Sequence, residues 1–380
     1  TEYKRRTRTA LQSISGISTG GSNRFFPSTI DLERCFSGDT RIITYAGNFP
    51  VKDLSGKRVL LLTRNVGSIG YTHPRWVEAD IRDFGKQRLW KITLCRNRVK
   101  KVVYATAEHR WFVWKTTKTR HDLLERTTVD LQLENLIPSV YAQRTLFKSE
   151  CSCGVSISPY GVAHGVVFGD GYLGSKRGEV QAQPARIVLF GKKDAELLEW
   201  FPKNVRTKNV IIRSKLGSTA GIKINDLPRY FKEFPSLDES PGYVLGWLAG
   251  YFAADGHVDE KGAACLNSSR LENLEFSQLI CQRFGIRTTE ISVLLRKGCC
   301  EVEKPIYSLR FHVGALPNDF FLLSAHRERN KPRSKDSQGW LVKSVEPTDR
   351  VEDVYCAVLP ETGTFVLEGN ILTGNCIELS

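Results

Sequence analysis

Residues 242–256 read GYVLGWLAGYFAADG, and residues 161–171 read GVAHGVVFGDG. Gly242, Gly246 and Gly250 are four apart, and so are Gly161, Gly165 and Gly169. On a helix that spacing lines small residues along one face. Each glycine costs a helix about 1 kcal/mol, so three per helix, twice, call for a packing reason. The simplest is close approach of the two helix backbones across a pseudo-twofold axis. Both runs end in Asp-Gly, at Asp170-Gly171 and Asp255-Gly256. Glycine suits a helix C-terminus. An aspartate there is opposed by the helix dipole by roughly 0.3–1 kcal/mol, and two such carboxylates brought together repel each other. A divalent cation such as Mg²⁺ relieves both problems. Paired carboxylates with Mg²⁺ in a basic chain point to phosphodiester hydrolysis.

The segments after the two glycine-rich runs match as well. KKDAELLEWF corresponds to NLEFSQLICQRFG as a helix, NVIIRSKLG to ISVLLRKG as a strand, and AGIKINDLPRYF to IYSLRFHVGALPNDFF as strand then helix. Such self-similarity indicates an internal duplication of an α-β-α-β-β-α unit. Outside it the texture is different. RIITYAG, KRVLLLTRN, WVEADIRDFG, LWKITLC and VKKVVYAT are short strand-like runs separated by turn residues. Residues 130–140 read as a helical turn leading to an edge strand. Residues 324–339 (SAHRERNKPRSKDSQG) read as a polar linker. WLVKSVEP, DVYCAVLP, TFVLEG and NILTG then resume the β texture, so the α+β region is read as an insertion into a β domain.

The 380 residues are 41% hydrophobic and 25% charged, with a formal net charge of +14, which is a globular composition that excludes collagenous, coiled-coil and wholly disordered chains. No run of about 18 apolar residues is present to span a membrane as a helix. Ten cysteines in such a length fall short of a disulfide scaffold, which implies a reducing, intracellular setting. The close pairs Cys151-Ser152-Cys153 and Cys299-Cys300 lack zinc-knuckle spacing and read as buried thiols.

The two Asp-Gly runs resemble the paired motifs of a single-chain, two-repeat LAGLIDADG homing endonuclease, and the second copy is the nearer match. The resemblance implies an αββαββα unit occurring twice, with Asp170 and Asp255 as metal ligands and curved sheets along the major groove of double-stranded DNA. Basic strand residues, namely Arg213, Lys215, Lys223, Arg296, Lys297 and Arg310, would touch phosphates or base edges. It also implies a lysine near the metals, for which Lys223 and Lys297 are both candidates.

The β region carries its own chemistry. It opens Cys35-Phe36-Ser37-Gly38-Asp39-Thr40, closes Leu372-Thr373-Gly374-Asn375-Cys376, and holds Thr106-Ala107-Glu108-His109 between them. A thiol can attack the carbonyl of its preceding peptide, if a His and a Thr hydroxyl polarise that peptide and protonate its nitrogen. A second thiol can take the acyl group, and an asparagine can cyclise onto its own carbonyl and cut the chain. These blocks resemble those of an intein, from Cys35 as first residue to Asn375 as last, with Cys376 opening the downstream segment. Thr106 and His109 would activate the first peptide bond. Gly374 and Gly363 stand where related sequences usually carry histidine, so Asn375 lacks its usual helpers. Cys356 stands where an Asp is common, either as a participant or as a packed thiol.

The resemblance therefore implies a multidomain chain in which an all-β, horseshoe-like Hint splicing domain (35–150 and 338–375) is interrupted by the α+β LAGLIDADG domain (151–337). Residues 1–34 and 376–380 would be host (extein) segments. Implied partners are those host segments and the double-stranded DNA of the host allele lacking the insert. The protein would be a monomer with no membrane association, needing Mg²⁺ for DNA cleavage and no cofactor for splicing. A second reading keeps the self-processing and makes the LAGLIDADG domain a DNA binder without cleavage. A third, from another class, is an ordinary host enzyme with an incidental Asn-Cys. Net charge divides as +3 over residues 1–34, +10 over 35–150, +6 over 151–337 and −5 over 338–380. The acidic C-terminal strands are expected to pair with the basic N-terminal ones.

Overall fold

The computed structural model describes residues 34–375 except 67–72, 97–98, 115–122, 175–182, 204, 206, 215–216, 298–302, 313, 331–338 and 360–362. The chain divides into two compact units, with breaks between Gln143 and Arg144 and between Lys335 and Asp336. The first unit is all-β and the second is an α+β insertion, so the expected fold class holds.

The β unit is built on one 12-stranded sheet. Its spine is the antiparallel pairing of strands Arg75–Arg96 and Gly339–Val358, which runs from Leu341 opposite Cys95 to Val358 opposite Asp80. The sequence signals separate strands at WVEADIRDFG and LWKITLC. They form one strand instead. The turn signal at Asp83-Phe84-Gly85 is absorbed as an irregularity in the ladder: Gly85 takes a φ of +72° and its N–H donates to Asp83 Oδ1 at 2.8 Å.

The two ends of the unit meet in its middle. Phe36 pairs with Tyr355 on one side and Ala105 on the other, and Thr373 pairs with Trp111. Phe36, Trp111, Trp340 and Phe365 are buried in a core shared by strands from both halves. The opposite charges of the halves also meet, through Arg88–Asp349, Lys91–Glu346 and a Glu368 that takes both Arg41 and Lys101. Most of these pairs are exposed and each adds at most about 1 kcal/mol, so apolar burial holds the halves together. Leu136–Pro138 is an edge strand against Gly339–Leu341, entered through a turn rather than a helix.

The insertion repeats one plan. Each copy has a long helix, Pro159–Asp170 (α1) or Pro241–Asp255 (α3), and a four-stranded sheet. Both sheets have the order first, second, fourth, third. Gly191–Ala195 (α2), extended by a 3₁₀ turn, and Leu271–Arg283 (α4) are the second helices. Ser158 and Ser240 cap α1 and α3, each with proline at the first helical position. Both long helices are buried nearly all round, with few polar positions. Part of the expected linker is structured: Ser324–Arg329 (α5) is helical, buries His326, and is tied by Ser324 to Glu196. Cys151 and Cys153 are not buried, contrary to the thiol reading, and their sulfurs lie 2.8 Å apart. Cys299 and Cys300 lie outside the described residues.

Candidate functional sites

The first site lies where the ends of the β unit meet. Cys35 is fully buried, and its backbone N–H, the nitrogen of the Arg34–Cys35 peptide, donates to Thr106 Oγ1 at 2.9 Å. The Thr106 N–H donates back to the Cys35 carbonyl at 3.0 Å. Thr106 is thus locked beside the peptide it would activate. His109 sits one tight turn on, its N–H donating to the Thr106 carbonyl. Its ring is buried against Phe36 and Trp111.

Burial pushes the His109 pKa down to about 3, against a weaker opposing interaction with the Arg34 backbone. The imidazole is therefore neutral at pH 7, with one N–H to give and one lone pair to receive. Nε2 lies 2.6 Å from Thr373 Oγ1, whose hydroxyl can also reach the Arg110 carbonyl at 3.2 Å. Nδ1 has no partner of full hydrogen-bond geometry. Thr373 has one proton to place, so its choice sets the His109 tautomer. If it donates to Nε2, the proton of His109 sits on Nδ1 and is available to the Arg34 peptide.

Asn375 is fully buried two residues beyond Thr373. Its N–H donates to Gly363 O at 3.2 Å and Nδ2 to Leu359 O at 2.7 Å. Continuing the register of Phe36 with Tyr355 brings Cys35 opposite Cys356, and both thiols belong to the same buried core. Cys376 lies outside the described residues. Sequence reasoning missed Thr373 and the carbonyl of Leu359. Neither residue type signals a role, and only strand pairing brings them in.

The second site lies where α1 and α3 end. The glycines do what their spacing requires. A methyl group on Gly165 would overlap the Trp247 and Tyr251 backbone, and one on Gly250 the Val162 and Val166 backbone. This contact carries Asp255 to the end of α1, where one carboxylate oxygen would sit 3.5 Å from a Cβ on Gly169. Asp170 is exposed and Asp255 half-buried. Burial, and then the charge of Asp170, raises the Asp255 pKa to about 6, while Lys232 and the Tyr251 hydroxyl oppose the rise.

The lysine near these carboxylates is Lys232, which the sequence does not single out. Its Nζ donates to the carbonyls of Val167 and Phe168 at 3.1 and 2.5 Å, capping α1 where the dipole is negative. Burial lowers its pKa, opposed by Asp255 and Asp170. The signal available was asymmetry: LPRYFK in the first repeat aligns with LPNDFF in the second, so Lys232 stands where Phe321 does. Lys223 instead lies mid-strand opposite Val188 and Lys208, and Lys297 ends a strand opposite Glu303.

Of the other basic candidates, Arg213 pairs with Ser218 on the first sheet. Arg296 and Arg310 are exposed on the second, opposite Lys304 and Cys265. Lys215 is outside the described residues. Among the described residues no cluster of three or more His, Cys, Asp or Glu is poised for a metal. The two carboxylates, one with its pKa raised by burial and then by the charge of the other, are the donor set that fits a hard divalent cation.

Residues 242–298 match the model of the LAGLIDADG-like domain. That match begins at Gly242 and so includes α3 and Asp255. The chain is also similar to solved structures and to a curated protein. The G-1F mutant of the Ssp DnaB mini-intein variant M86 aligns over 90% of this chain and 99% of its own, at 11% identity and a TM-score of 0.32. I-DmoI in complex with DNA and Mn covers 41% of this chain and 89% of its own, at 16% identity and a TM-score of 0.29. The homing endonuclease I-WcaI bound to its DNA recognition sequence covers 47% and 89%, at 14% identity and a TM-score of 0.31. The ribonucleoside-diphosphate reductase large subunit of Invertebrate iridescent virus 6 is 25% identical over 376 residues. That alignment takes in 91% of this chain but spans 36% of the viral protein's length. The roles of the residues outside the LAGLIDADG-like domain rest on their own geometry.

Proposed function

We propose that the β unit splices itself out of a host protein and that the LAGLIDADG-like domain cuts double-stranded DNA at a specific site. The observation that carries the first half is the meeting of the ends of the β unit: the Arg34–Cys35 peptide is held by Thr106, and the neighbouring His109 is bonded to Thr373, two residues before the buried Asn375. An ordinary host enzyme with an incidental Asn-Cys gives no reason for that convergence.

The proposed steps follow from the chemistry of these groups. Cys35 Sγ attacks the Arg34 carbonyl carbon. Thr106 holds the leaving nitrogen, and neutral His109 carries the proton it needs. Cys376 takes the acyl chain by thioester exchange. Asn375 Nδ2 then attacks its own backbone carbonyl, releasing Cys376, and the thioester rearranges to an amide. Cys356, opposite Cys35, is a further thiol through which an acyl group could pass. Residues 1–34 and 376–380 are host segments on this reading. The 36% share of a ribonucleotide reductase large subunit is what an element inserted in such a host would cover. The thiol chemistry calls for a reducing compartment.

In the LAGLIDADG-like domain, Asp170 and Asp255 would hold Mg²⁺, with Lys232 fixing the end of α1 beside them. When bound, the ion would supply charge stabilisation and an activated water for phosphodiester hydrolysis. The exposed Arg296 and Arg310 would position the duplex through its phosphates. Expression of the full chain tests the splicing reading. A mass corresponding to residues 1–34 joined to 376–380 is expected, and a stable chain with neither junction cut would overturn it. Incubation with Mg²⁺ and DNA carrying the uninterrupted host sequence tests the nuclease. Cleavage is expected, and binding without cleavage would leave only a DNA-binding role.

A further inference from the structure

Asn375 and Arg110 each leave one buried polar atom unsatisfied. Asn375 Nδ2 is used on Leu359 O, but Oδ1 has no hydrogen-bond partner. Arg110 sends Nε and Nη2 to Glu125 at 2.5 and 2.6 Å, but Nη1 has none. A buried acceptor and a buried charged donor left unmade are both costly.

The two orphans border the same point. A Cβ on Gly363 would lie 3.7 Å from Asn375 Oδ1 and 4.0 Å from Arg110 Nη1. Gly363 has a φ of +64°, which favours glycine, and the missing side chain leaves the gap between them open. Gly374 closes the other side. A Cβ there would come within 2.6 Å of Arg110 Cβ, so no side chain fits, histidine included. The two glycines that stand in for the usual histidines therefore leave the space between Arg110 and Asn375 free of side chains.

We propose that Arg110 is the catalytic residue that assists Asn375 cyclisation, its Nη1 turning onto Oδ1 as the reaction proceeds. The inference rests on the splicing reading above. In the step itself, Nδ2 bonds to the Asn375 backbone carbonyl carbon and the bond from that carbon to the Cys376 nitrogen breaks. Nδ2 gives up one proton and the Cys376 nitrogen gains one, which leaves a succinimide and a free amine. As Nδ2 loses its proton, negative charge spreads onto Oδ1, and a guanidinium there stabilises it. Leu359 O holds the remaining Nδ2–H in line. Arg110 contributes the positive charge of its guanidinium. It acts as fixed charge, not as the acid that a histidine would be.

The test uses the full chain carrying Cys35→Ala, in which only the C-terminal junction can react, and tracks release of residues 376–380 by mass. Adding Arg110→Ala should slow release about ten- to a hundredfold, the usual worth of a charged hydrogen bond to a developing anion. Arg110→Lys, which keeps the charge, should recover part of the rate. Thiol-induced cleavage after Arg34, followed in the same Arg110 variants with Cys35 intact, distinguishes a loss confined to the C-terminal junction from a general loss of the centre. Release at the parent rate in Arg110→Ala would overturn the inference. So would loss of both junctions together in the Ala and Lys variants, since that marks a structural role. A parent chain that releases nothing overturns the splicing reading, and this inference with it.

Discussion

Cys35, His109 and Asn375 are sealed from water, whereas Asp170 is exposed and Asp255 only half-covered. The contrast reflects where each substrate comes from. On the proposed reading the β unit would act on its own chain, so its reactants would arrive by strand pairing and need no entrance. Burial then has a chemical effect, keeping His109 neutral and bringing thiols and amides together in a dry core. The carboxylates at the ends of α1 and α3 would act on a duplex that must arrive from outside, so they sit at an open helix end. Burial of one of them raises its pKa instead of hiding it.

The largest effect expected from this contrast is at Cys35. Replacing it with alanine removes the thiol that would attack the Arg34 carbonyl. Thiol-induced cleavage after Arg34 should vanish, while DNA cleavage by the same preparation continues. Persistent cleavage after Arg34, measured by mass, would break the assignment. The converse change comes next. Asp170→Asn or Asp255→Asn should end DNA cleavage and leave splicing intact, because the two centres belong to separate units. Parallel loss of both activities would mean that they are not independent.

How far the sequence discloses these sites depends on how each residue reaches its place. Cys35, Asn375, Asp170 and Asp255 are legible because their meaning lies in covalent neighbours: a thiol opening a block, an Asn-Cys, an Asp-Gly closing a small-residue helix. The glycine ladder likewise predicts the α1–α3 contact, since helix periodicity turns spacing into a face. Lys232, Arg110 and Thr373 are not legible in this way. Lys232 comes near the carboxylates because a short 3₁₀ turn after Pro228 lies under the end of α1. Arg110 and Thr373 arrive because strands Arg110–Trp114 and Ile371–Gly374 pair across 263 positions. The Gly85 signal reads as a turn because turn residues look alike in a loop and in a bulge, and only the partner strand distinguishes them.

Lys232 gives a smaller and more discriminating test. Lys232→Met keeps most of the unbranched side chain but removes the charge and the cap on α1. DNA cleavage should fall about tenfold or more, with DNA binding retained, as a gel-shift run beside the cleavage assay would reveal. Equivalent losses from Lys223→Met, with none from Lys232→Met, would return the role to the strand lysine.

The smallest effect expected is one of stability, and its sign is opposite to that of a salt-bridged carboxylate. The folded Asp255 has a pKa of about 6 against an ordinary 3.8, so between these values the folded chain holds a proton that the unfolded chain has lost. Stability from this group is thus highest below about pH 4 and declines as pH rises through 6, where the buried charge forms beside Asp170. Without metal, Asp255→Asn should therefore stabilise the protein at pH 8, by about 1–3 kcal/mol after allowance for its partial exposure, and change little at pH 4. Adding a divalent cation should invert the comparison. The wild type gains above pH 6 because the ion binds the ionised pair, whereas the Asn variant gains less. Thermal melts at the two pH values, with and without Mg²⁺, read out all four states. A wild type that gains nothing from Mg²⁺ at pH 8 would leave the paired carboxylates without a cation, and the contrast between the two centres would rest on the β unit alone.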